Sequence, residues 1–409
     1  MSKEENRKNF SKYVSQNILG MIGFSCYVLA DSYFISIAKG ADGLTALNLV
    51  MPLYSIIFSI GEMIGVGSAI RYAISKIKKD ADADDYFWNA LIWCILSSML
   101  FVFAGIFFSA DIMRVLGADE HIVAVGNNYT KIFMCFAPMF MCNYVTNAFV
   151  RNDGAPGIAM SATLFSSLFN IVFDYILMFP MNLGMEGAAL ATALSPIIGM
   201  GICSIHFFSK KSSVRLVVCK PSVRKLVAGS QLGVSAFVGE MSSAVITLAF
   251  NFVILKLAGN VGVAAYGVVA NIAIVTTAVF NGVAQGSQPL ISSCFGRGDK
   301  DGCTQLKRMG YTTAFVLAAV MYSILFIFAG QFVAVFNSEG SEMLRLYATE
   351  GVKLYFIGIF FAGINIVGGG AFSATEDAFK AAVVSVARGF VLILGAVFVM
   401  SALFGMTGV

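Results

Sequence analysis

Four acidic residues lie inside long apolar stretches of this sequence, where a full charge needs an explanation. They are Asp31, Glu62, Asp174 and Glu240. An ionisable side chain at membrane depth is costly unless it faces a wet cavity or a partner. Each of the four is therefore a candidate for binding a cation or a proton.

Two of these acids share a depth. Asp31 lies near the end of the first apolar stretch and Asp174 near the end of the fifth, so we expect both roughly 8 to 9 Å below one boundary. Thr192 enters the sixth stretch at a similar depth, and Asn170 lies one helical turn below Asp174 on the same face. Carboxylate, amide and hydroxyl oxygens are hard ligands that suit a proton or Na⁺. The sequence therefore predicts a cation-coupling site, with Na⁺ as its candidate metal, at Asp31, Asn170, Asp174 and Thr192.

The alternative is that Asp31 and Asp174 are buried structural groups. We favour the functional interpretation because the two share a depth and because intramembrane acids are costly. Glu62, in "SIGEMIGVGS", and Glu240, in "FVGEMSS", each have two interpretations. Either could be the counter-ion of a cationic substrate, or could pair with Arg388 of the last apolar stretch, and the sequence leaves both open.

The composition indicates that membrane-spanning helices position these residues. The chain has 409 residues, of which 58% are hydrophobic and 12% charged, and this excludes the soluble classes. A membrane span needs about 20 mostly apolar residues. The sequence predicts an all-α polytopic membrane protein with eleven spans, near 13–37, 46–74, 88–109, 127–150, 156–179, 187–208, 228–257, 263–292, 310–336, 347–373 and 379–404.

The basic residues predict an orientation. With a cytoplasmic N-terminus, most of the 27 Lys and Arg residues fall in cytoplasmic segments, as is typical of membrane proteins. We therefore predict a multi-pass membrane protein with a cytoplasmic N-terminus. The net charge of +4 follows from those loops and indicates no nucleic-acid partner. Four further charges are expected to be solvated in short cytoplasmic loops, or to latch a cytoplasmic gate: Arg151, Asp153, Glu376 and Asp377.

The two halves of the sequence repeat each other. A shift of 219 residues lays Gly40 over Gly259 and Gly67 over Gly286, and "LGMEGA" at 183 finds its echo in "FGMTGV" at 404. Six spans separate the repeats, and an even number returns the chain to the same side, so the halves are parallel repeats. We predict two six-helix bundles, 1–208 and 228–409, joined by a basic cytoplasmic linker, 209–227. Gly408 should open a twelfth helix, which we expect to be missing from this chain.

Catalytic and metal-binding motifs are weak in this sequence. The eight cysteines are scattered without a CxxC pair, and the two histidines, His121 and His206, lie far apart. No clustered ligands predict zinc or haem, and no nucleophile with a base or HExxH-like pair predicts a membrane-embedded hydrolase. We therefore predict neither an enzyme nor a cofactor.

The sequence resembles the MATE (multidrug and toxic compound extrusion) family, in particular its bacterial MepA-like and DinF-like members, over essentially its whole length. The resemblance is carried by "ADSYFISIAKG", "NAFVRNDGAPGIAMSATLFSSLFNIVFDYILMF", "EGAALATALS", "VAAYGVVANIAIV" and "GVAQGSQPLISSCFGRGDK". It implies twelve helices in two bundles, a cavity between them, and alternating access driven by H⁺ or Na⁺. Asp31 and Asp174 match the first-helix and fifth-helix aspartates of the family, and Asn170 and Thr192 match positions that complete its proposed cation site.

These observations predict a secondary-active antiporter that exports bulky, often cationic drugs, works as a monomer in the lipid bilayer and uses H⁺ or Na⁺ as its coupling ion. Phe and Met are plentiful, with 37 and 20 residues, and could give an adaptable binding surface. The first alternative is a flippase for lipid-linked precursors on the same superfold, which should prefer a basic cavity. A channel is a further alternative, and would pass current without a counter-gradient.

Overall fold

The computed structural model describes residues 3–336 and 341–408, and all regular structure in that part of the chain is helical. Long apolar stretches favour helices because a helix satisfies every backbone N–H and C=O within its own segment, as an apolar environment requires. The predicted all-α architecture is confirmed.

In these described ranges, ten helices are long and apolar enough to cross a membrane, and one bent helix pair makes an eleventh span. Each of the eleven predicted spans corresponds to one of these candidate spans when the bent pair is counted as one. In chain order, spans 1 to 11 are Lys3–Gly40, Asp42–Lys78, Asp85–Val115, Glu120–Cys135 with Ala137–Asn152, Pro156–Met178, Gly184–Phe207, Val223–Gly259, Val261–Gly296, Lys300–Ile327, Glu342–Ala374 and Ala378–Phe404. A short helix, Ala329–Phe336, follows span 9, and Gly405–Gly408 form a 3₁₀ turn.

Several helices extend beyond the predicted boundaries. Span 1 begins at Lys3 and span 7 at Val223, whereas the sequence predicted starts near 13 and 228. Hydropathy marks only the apolar part of a helix, and polar residues continue the same hydrogen-bonded helix into water. Span 4 is bent by 46° between its two pieces, where Pro138 lacks a backbone N–H and breaks the hydrogen-bond ladder.

The sequence repeat is also a repeat of backbone geometry. Gly40 ends span 1 with φ 59° and ψ −143°, and Gly259 ends span 7 with φ 63° and ψ −157°. Only glycine adopts such a conformation readily, and here it turns each helix directly into the next. We call the ends of the spans at these two turns the hairpin side, and the opposite ends, near the N-terminus and the linker, the basic side.

Spans 1–6 and spans 7–11 approach each other closely toward the basic side. A Cβ on Gly67 of span 2 would lie 2.7 Å from the backbone N of Gly233 of span 7, and a Cβ on Gly286 of span 8 would lie 2.7 Å from the Cα of Val14 of span 1. The two contacts are related by the same shift of 219 residues, so the seam between the halves follows the repeat.

The apolar clusters also differ between the hairpin side and the basic side. One cluster near the hairpin side is drawn from spans 1 to 6 alone and includes Ile35, Val50 and Met185. The large cluster of spans 7 to 11 takes in Phe10 and Val14, from the basic end of span 1. The apolar packing between the halves is therefore strongest toward the basic side.

The linker is fastened to the first half. Asp153 accepts hydrogen bonds from the backbone N–H of Ser213 at 2.9 Å and from the hydroxyl of Tyr72 at 3.2 Å, and its carboxylate lies 2.7 Å from Nε2 of His206. Farther along, the backbone N–H of Ser222 donates to Asn89 Oδ1 at 2.6 Å. The prediction that Asp153 is solvated was wrong, because its side chain is 2% exposed and closes the linker onto spans 2 and 6.

Glu376 joins the halves at the basic side. It follows span 10 and forms ion pairs with Arg71 and Lys78 of span 2, the second at 3.4 Å. Glu376 is therefore not simply solvated, and its position fits the latch interpretation; we call Arg71, Lys78 and Glu376 the basic-side latch. Asp377 is the exposed neighbour that pairs instead with Lys380 of its own helix at 2.6 Å.

Candidate functional site

Three of the four residues of the predicted cation site are in contact. Asn170 and Asp174 lie one turn apart on span 5, and Thr192 faces them from span 6. One orientation of the Asn170 amide satisfies both neighbours, because its NH₂ group then donates to Asp174 Oδ2 at 3.1 Å and its oxygen accepts from Thr192 Oγ1 at 3.1 Å. All three side chains are buried, at 2% exposure or less.

Asp31 faces this group from span 1. It is 6% exposed, and its charge interacts with that of Asp174. Oδ1 of Asp31 and Oδ1 of Asp174 are both buried without a hydrogen-bond partner among the described residues. Buried polar atoms are nearly always satisfied, and these two carboxylate oxygens have the chemistry to accept a cation or a proton.

Three tyrosines that the sequence analysis missed surround this acid pair. Tyr54 of span 2 and Tyr129 of span 4 are hydrogen bonded to each other through their hydroxyl groups, and both interact electrostatically with Asp31 and Asp174. Tyr27 of span 1 interacts with the same two acids and also with Glu240. The available signal was the tyrosine hydroxyl itself, which needs a polar partner when it is buried in an apolar helix.

The corresponding level of the second half is apolar. The shift that relates the halves places Phe250 where the first half has Asp31, and it lies face to face with Tyr266 at 5.1 Å between ring centroids. Tyr355 approaches the same ring edge-on at 5.9 Å. Val397, at the level that corresponds to Asp174, is buried. The repeated scaffold therefore holds acids in one half and an aromatic cluster in the other.

Glu62 and Glu240 lie on the two faces that meet between the halves. Their charges interact with each other and with Tyr144 of span 4. Arg388 lies in a π-helical segment of span 11, Ala387–Leu392, and its Nη2 would be 3.8 Å from a Cβ on Gly239. Among the residues that the structure describes, Arg388 forms no ion pair with Glu62 or Glu240.

Glu62 has instead a partner from the second half. Gln285 of span 8 donates from Nε2 to Glu62 Oε1 at 3.2 Å, and its Oε1 accepts from Arg151 Nη1 at 2.7 Å. We call this chain of contacts the amide bridge. Arg151 is 4% exposed, so the prediction that it is solvated was wrong. Its position at the end of span 4 concealed its burial, because the groups that bury it come from spans 1 and 8.

The donor sets decide which chemistry is available. In the ranges 3–336 and 341–408, no group of three or more His, Cys, Asp and Glu side chains comes together as a metal site. Two carboxylates with an amide and a hydroxyl can hold a monovalent cation or a proton, whereas the two acids between the halves can attract an organic cation. No nucleophile with a base lies among these groups.

Comparison with known proteins decides the family. The MatE family model matches residues 17–176 and 236–403, which together make up most of the chain. The chain belongs to the MatE family. The resemblance found in the sequence motifs is confirmed, and this MatE chain is a multi-pass membrane protein.

Curated relatives cover nearly the whole MatE chain. It is 28% identical over 404 residues to the multidrug export protein MepA of Staphylococcus aureus strain MRSA252, covering 96% of this chain and 86% of that protein. MepA of Staphylococcus saprophyticus is 26% identical over 399 residues with the same coverage.

Solved structures share the fold. A multidrug resistance MATE family transporter of the MOP superfamily, in an outward-facing conformation, matches with a TM-score of 0.92 at 20% identity, over 98% of this chain and 90% of that one. A MOP superfamily transporter from Pyrococcus furiosus, described as having a binding pocket of reverse polarity that suggests a different function, matches with a TM-score of 0.90 at 20% identity, over 99% and 90%.

Proposed function

We propose that this protein is a secondary-active multidrug exporter that exchanges bulky, often cationic compounds for H⁺ or Na⁺. The observation that carries the proposal is the acid pair, Asp31 and Asp174, whose buried carboxylates each keep an oxygen without a partner. A coupled exporter needs a place where the driving ion binds in one conformation better than in the other. This pair, with Asn170 and Thr192, has the ligand chemistry for that role.

The proposed cycle uses the space between the halves. With the halves packed at the basic side, a cation from the hairpin side reaches Asp31 and Asp174. Its charge stabilises the paired carboxylates and alters the packing of spans 1 and 5 around them, which favours release of the drug and return to the opposite state. Only a difference in ion affinity between the two states can drive this exchange.

The proposal includes an orientation of the protein in the membrane and the two domains that move. The basic side faces the cytoplasm of a bacterial cell, because Lys and Arg are retained there. The moving domains are 1–208 and 228–409, and they work as a monomer. The close contacts at the basic side then correspond to an outward-open state.

The acids between the halves support a cationic substrate. Glu62 and Glu240 are close enough to interact electrostatically with each other and with Tyr144, and carboxylates near an aromatic ring attract organic cations. The negative charge of these two acids argues against the alternative function, a flippase for lipid-linked precursors. Such an anionic substrate would need basic groups where Glu62 and Glu240 lie. The Met and Phe side chains of the spans provide adaptable apolar contacts for drugs of different shape.

Ethidium efflux from proteoliposomes tests the proposal, with an imposed Na⁺ gradient and an imposed pH gradient applied separately. We expect one of the two gradients to drive efflux, and the one that does names the coupling ion. Efflux at equal rates without any gradient would indicate a channel and contradict antiport. Gradient-driven transport of a lipid-linked precursor, with no ethidium transport, would favour the flippase.

A further inference from the structure

The amide bridge places a neutral group from one half between two charges of the other half. Arg151 and Glu62 belong to spans 4 and 2, whereas Gln285 belongs to span 8. The amide is oriented by its neighbours, with its oxygen toward the guanidinium and its NH₂ toward the carboxylate. The Arg151 guanidinium also interacts electrostatically with the Glu62 carboxylate.

This arrangement exists only while the halves are closed at the basic side. Gln285 is held there by the packing of span 8 on span 1, where a Cβ on Gly282 or on Gly286 would lie within 2.7 Å of the span 1 backbone. A separation of the halves at the basic side would withdraw Gln285 and leave Glu62 without its donor. The hydrogen bonding of Glu62 therefore depends on the conformational state.

Resting on the proposed function, we infer that Gln285 is an intramolecular competitor for Glu62 that displaces a bound organic cation when the basic side closes. With the basic side open, Glu62 is free to pair with the cation. When it closes, the Gln285 NH₂ group takes one carboxylate oxygen, and Arg151 acts through the amide to fix its direction. The drug affinity falls in the outward-open state, which is the difference that net export requires.

The test measures ethidium binding to protein that is held closed at the basic side. Asn6 and Gln305 belong to different halves and lie 3.2 Å apart between Nδ2 and Oε1, so Asn6→Cys with Gln305→Cys can be joined there by a short bifunctional thiol reagent. The exposed Cys26 is first replaced by Ser. In this form, Gln285→Met removes the donor to Glu62 while keeping the length of the side chain.

We expect cross-linked Gln285→Met to bind ethidium about tenfold more tightly than the cross-linked parent, the effect of one hydrogen bond to a charged group. In a Glu62→Gln background the same change should have no effect. Gln288→Met, three residues along span 8 and away from Glu62, is the matched control and should leave ethidium affinity unchanged.

A second variant keeps the test valid if the methionine destabilises the protein. Gln285→Leu also removes the donor to Glu62 and adds no charge, so it should likewise tighten ethidium binding. Unchanged affinity in both Gln285 variants, or tightening that persists in the Glu62→Gln background, would overturn the inference.

The inference and the proposed function can fail separately. If Glu62→Gln does not lower the ethidium affinity of the cross-linked Gln285→Met protein, in which Glu62 has lost its donor, Glu62 is not the substrate counter-ion and the inference is wrong, even where gradient-driven efflux persists. If the parent protein shows no gradient-driven efflux, antiport fails, whereas the binding comparison still reports whether Gln285 competes for Glu62.

Discussion

The two halves of this protein have the same helix order and the same glycine turns, but their interiors differ at one level. The first half buries Asp31 and Asp174 with an amide and a hydroxyl, and the second half fills the related level with Phe250 against Tyr266. The aromatic cluster demonstrates that the scaffold packs at this level without any charge. The acids of the first half are therefore better explained by ion binding than by architecture.

The largest expected effect comes from removing the charge that distinguishes the halves. Asp174→Asn keeps the shape of the side chain and a donor and acceptor for Asn170, but it removes the negative charge that, in our proposal, binds the coupling ion. We expect loss of drug resistance in expressing cells, down to that of cells without the protein. Membrane levels should stay normal, as measured by immunoblotting of isolated membranes. Normal export by this variant would refute the proposed site.

Placing an acid in the second half should lower the stability of the protein. Phe250→Asp places an acid at the related position of the second half, where the rings of Tyr266 and Tyr355 pack against it and, in the described part of the chain, no charged group is among its ring contacts. We expect a loss of about 3 kcal/mol in stability, the scale of an acid in an apolar membrane segment. The measurement is the thermal unfolding midpoint in detergent, with Phe250→Leu as the control for lost ring contacts. Equal stability of Phe250→Asp and Phe250→Leu would mean that either half accepts an acid, which would remove the argument from the repeat.

The two glycine turns, which the halves share, should be equally sensitive to substitution. Gly40→Ala and Gly259→Ala each force a side chain into a backbone region that is nearly exclusive to glycine, at about 1 to 3 kcal/mol. We expect similar decreases in the unfolding midpoint for the two variants. Gly201→Ala and Gly395→Ala are matched controls, one in each half, because both positions are helical and a Cβ there meets nothing within 4 Å. A large effect in one half only would mean that the turns are not equivalent.

The smallest effect concerns the basic-side latch. Glu376→Gln weakens the ion pairs with Arg71 and Lys78, and because all three side chains are partly exposed, at 21% to 45%, we expect the contact between the halves to lose at most about 1 kcal/mol of free energy. The rate at which a thiol reagent labels Ile77→Cys, at the seam beside Gly296, should rise up to about fivefold in low salt and less in high salt.

Asp377→Asn is the control for the latch variant. Asp377 hydrogen bonds to Lys380 of its own helix, which lowers the pKa of that carboxyl, and the contact does not cross the seam. Labelling of Ile77→Cys should therefore not change. Equal labelling in the Glu376 and Asp377 variants would show that the latch contributes nothing to closure.

The sequence predicted the fold because each span carries its own signal. Twenty apolar residues in a row identify a helix without knowledge of its neighbours, and the shifted glycines identified the repeat. The convergence of Asn170, Asp174 and Thr192 could also be predicted, because it required only depth along two adjacent helices. The contact geometry agrees with that prediction, whereas the coupling role stays a proposal.

The amide bridge could not be predicted in the same way. Gln285 is a neutral residue in an apolar span, and its partners Glu62 and Arg151 are 223 and 134 residues away. Depth and helical periodicity do not say which faces of two separate bundles meet. Arg151 was misassigned for the same reason, since a charge at a helix end is solvated unless another part of the chain covers it.

The fastening of the linker determines how the halves can move. Ser213 is tied to Asp153 and Ser222 to Asn89, and Lys225, on the first turn of span 7, already pairs with Asp85 of span 3. These contacts anchor the linker to the first half up to the start of span 7, so we expect span 7 to move by rotation about this anchored end. Span 7 has 37 residues and is about 55 Å long. A rotation of a few degrees at its anchored end would therefore move Gly259, at the other end, by several ångströms.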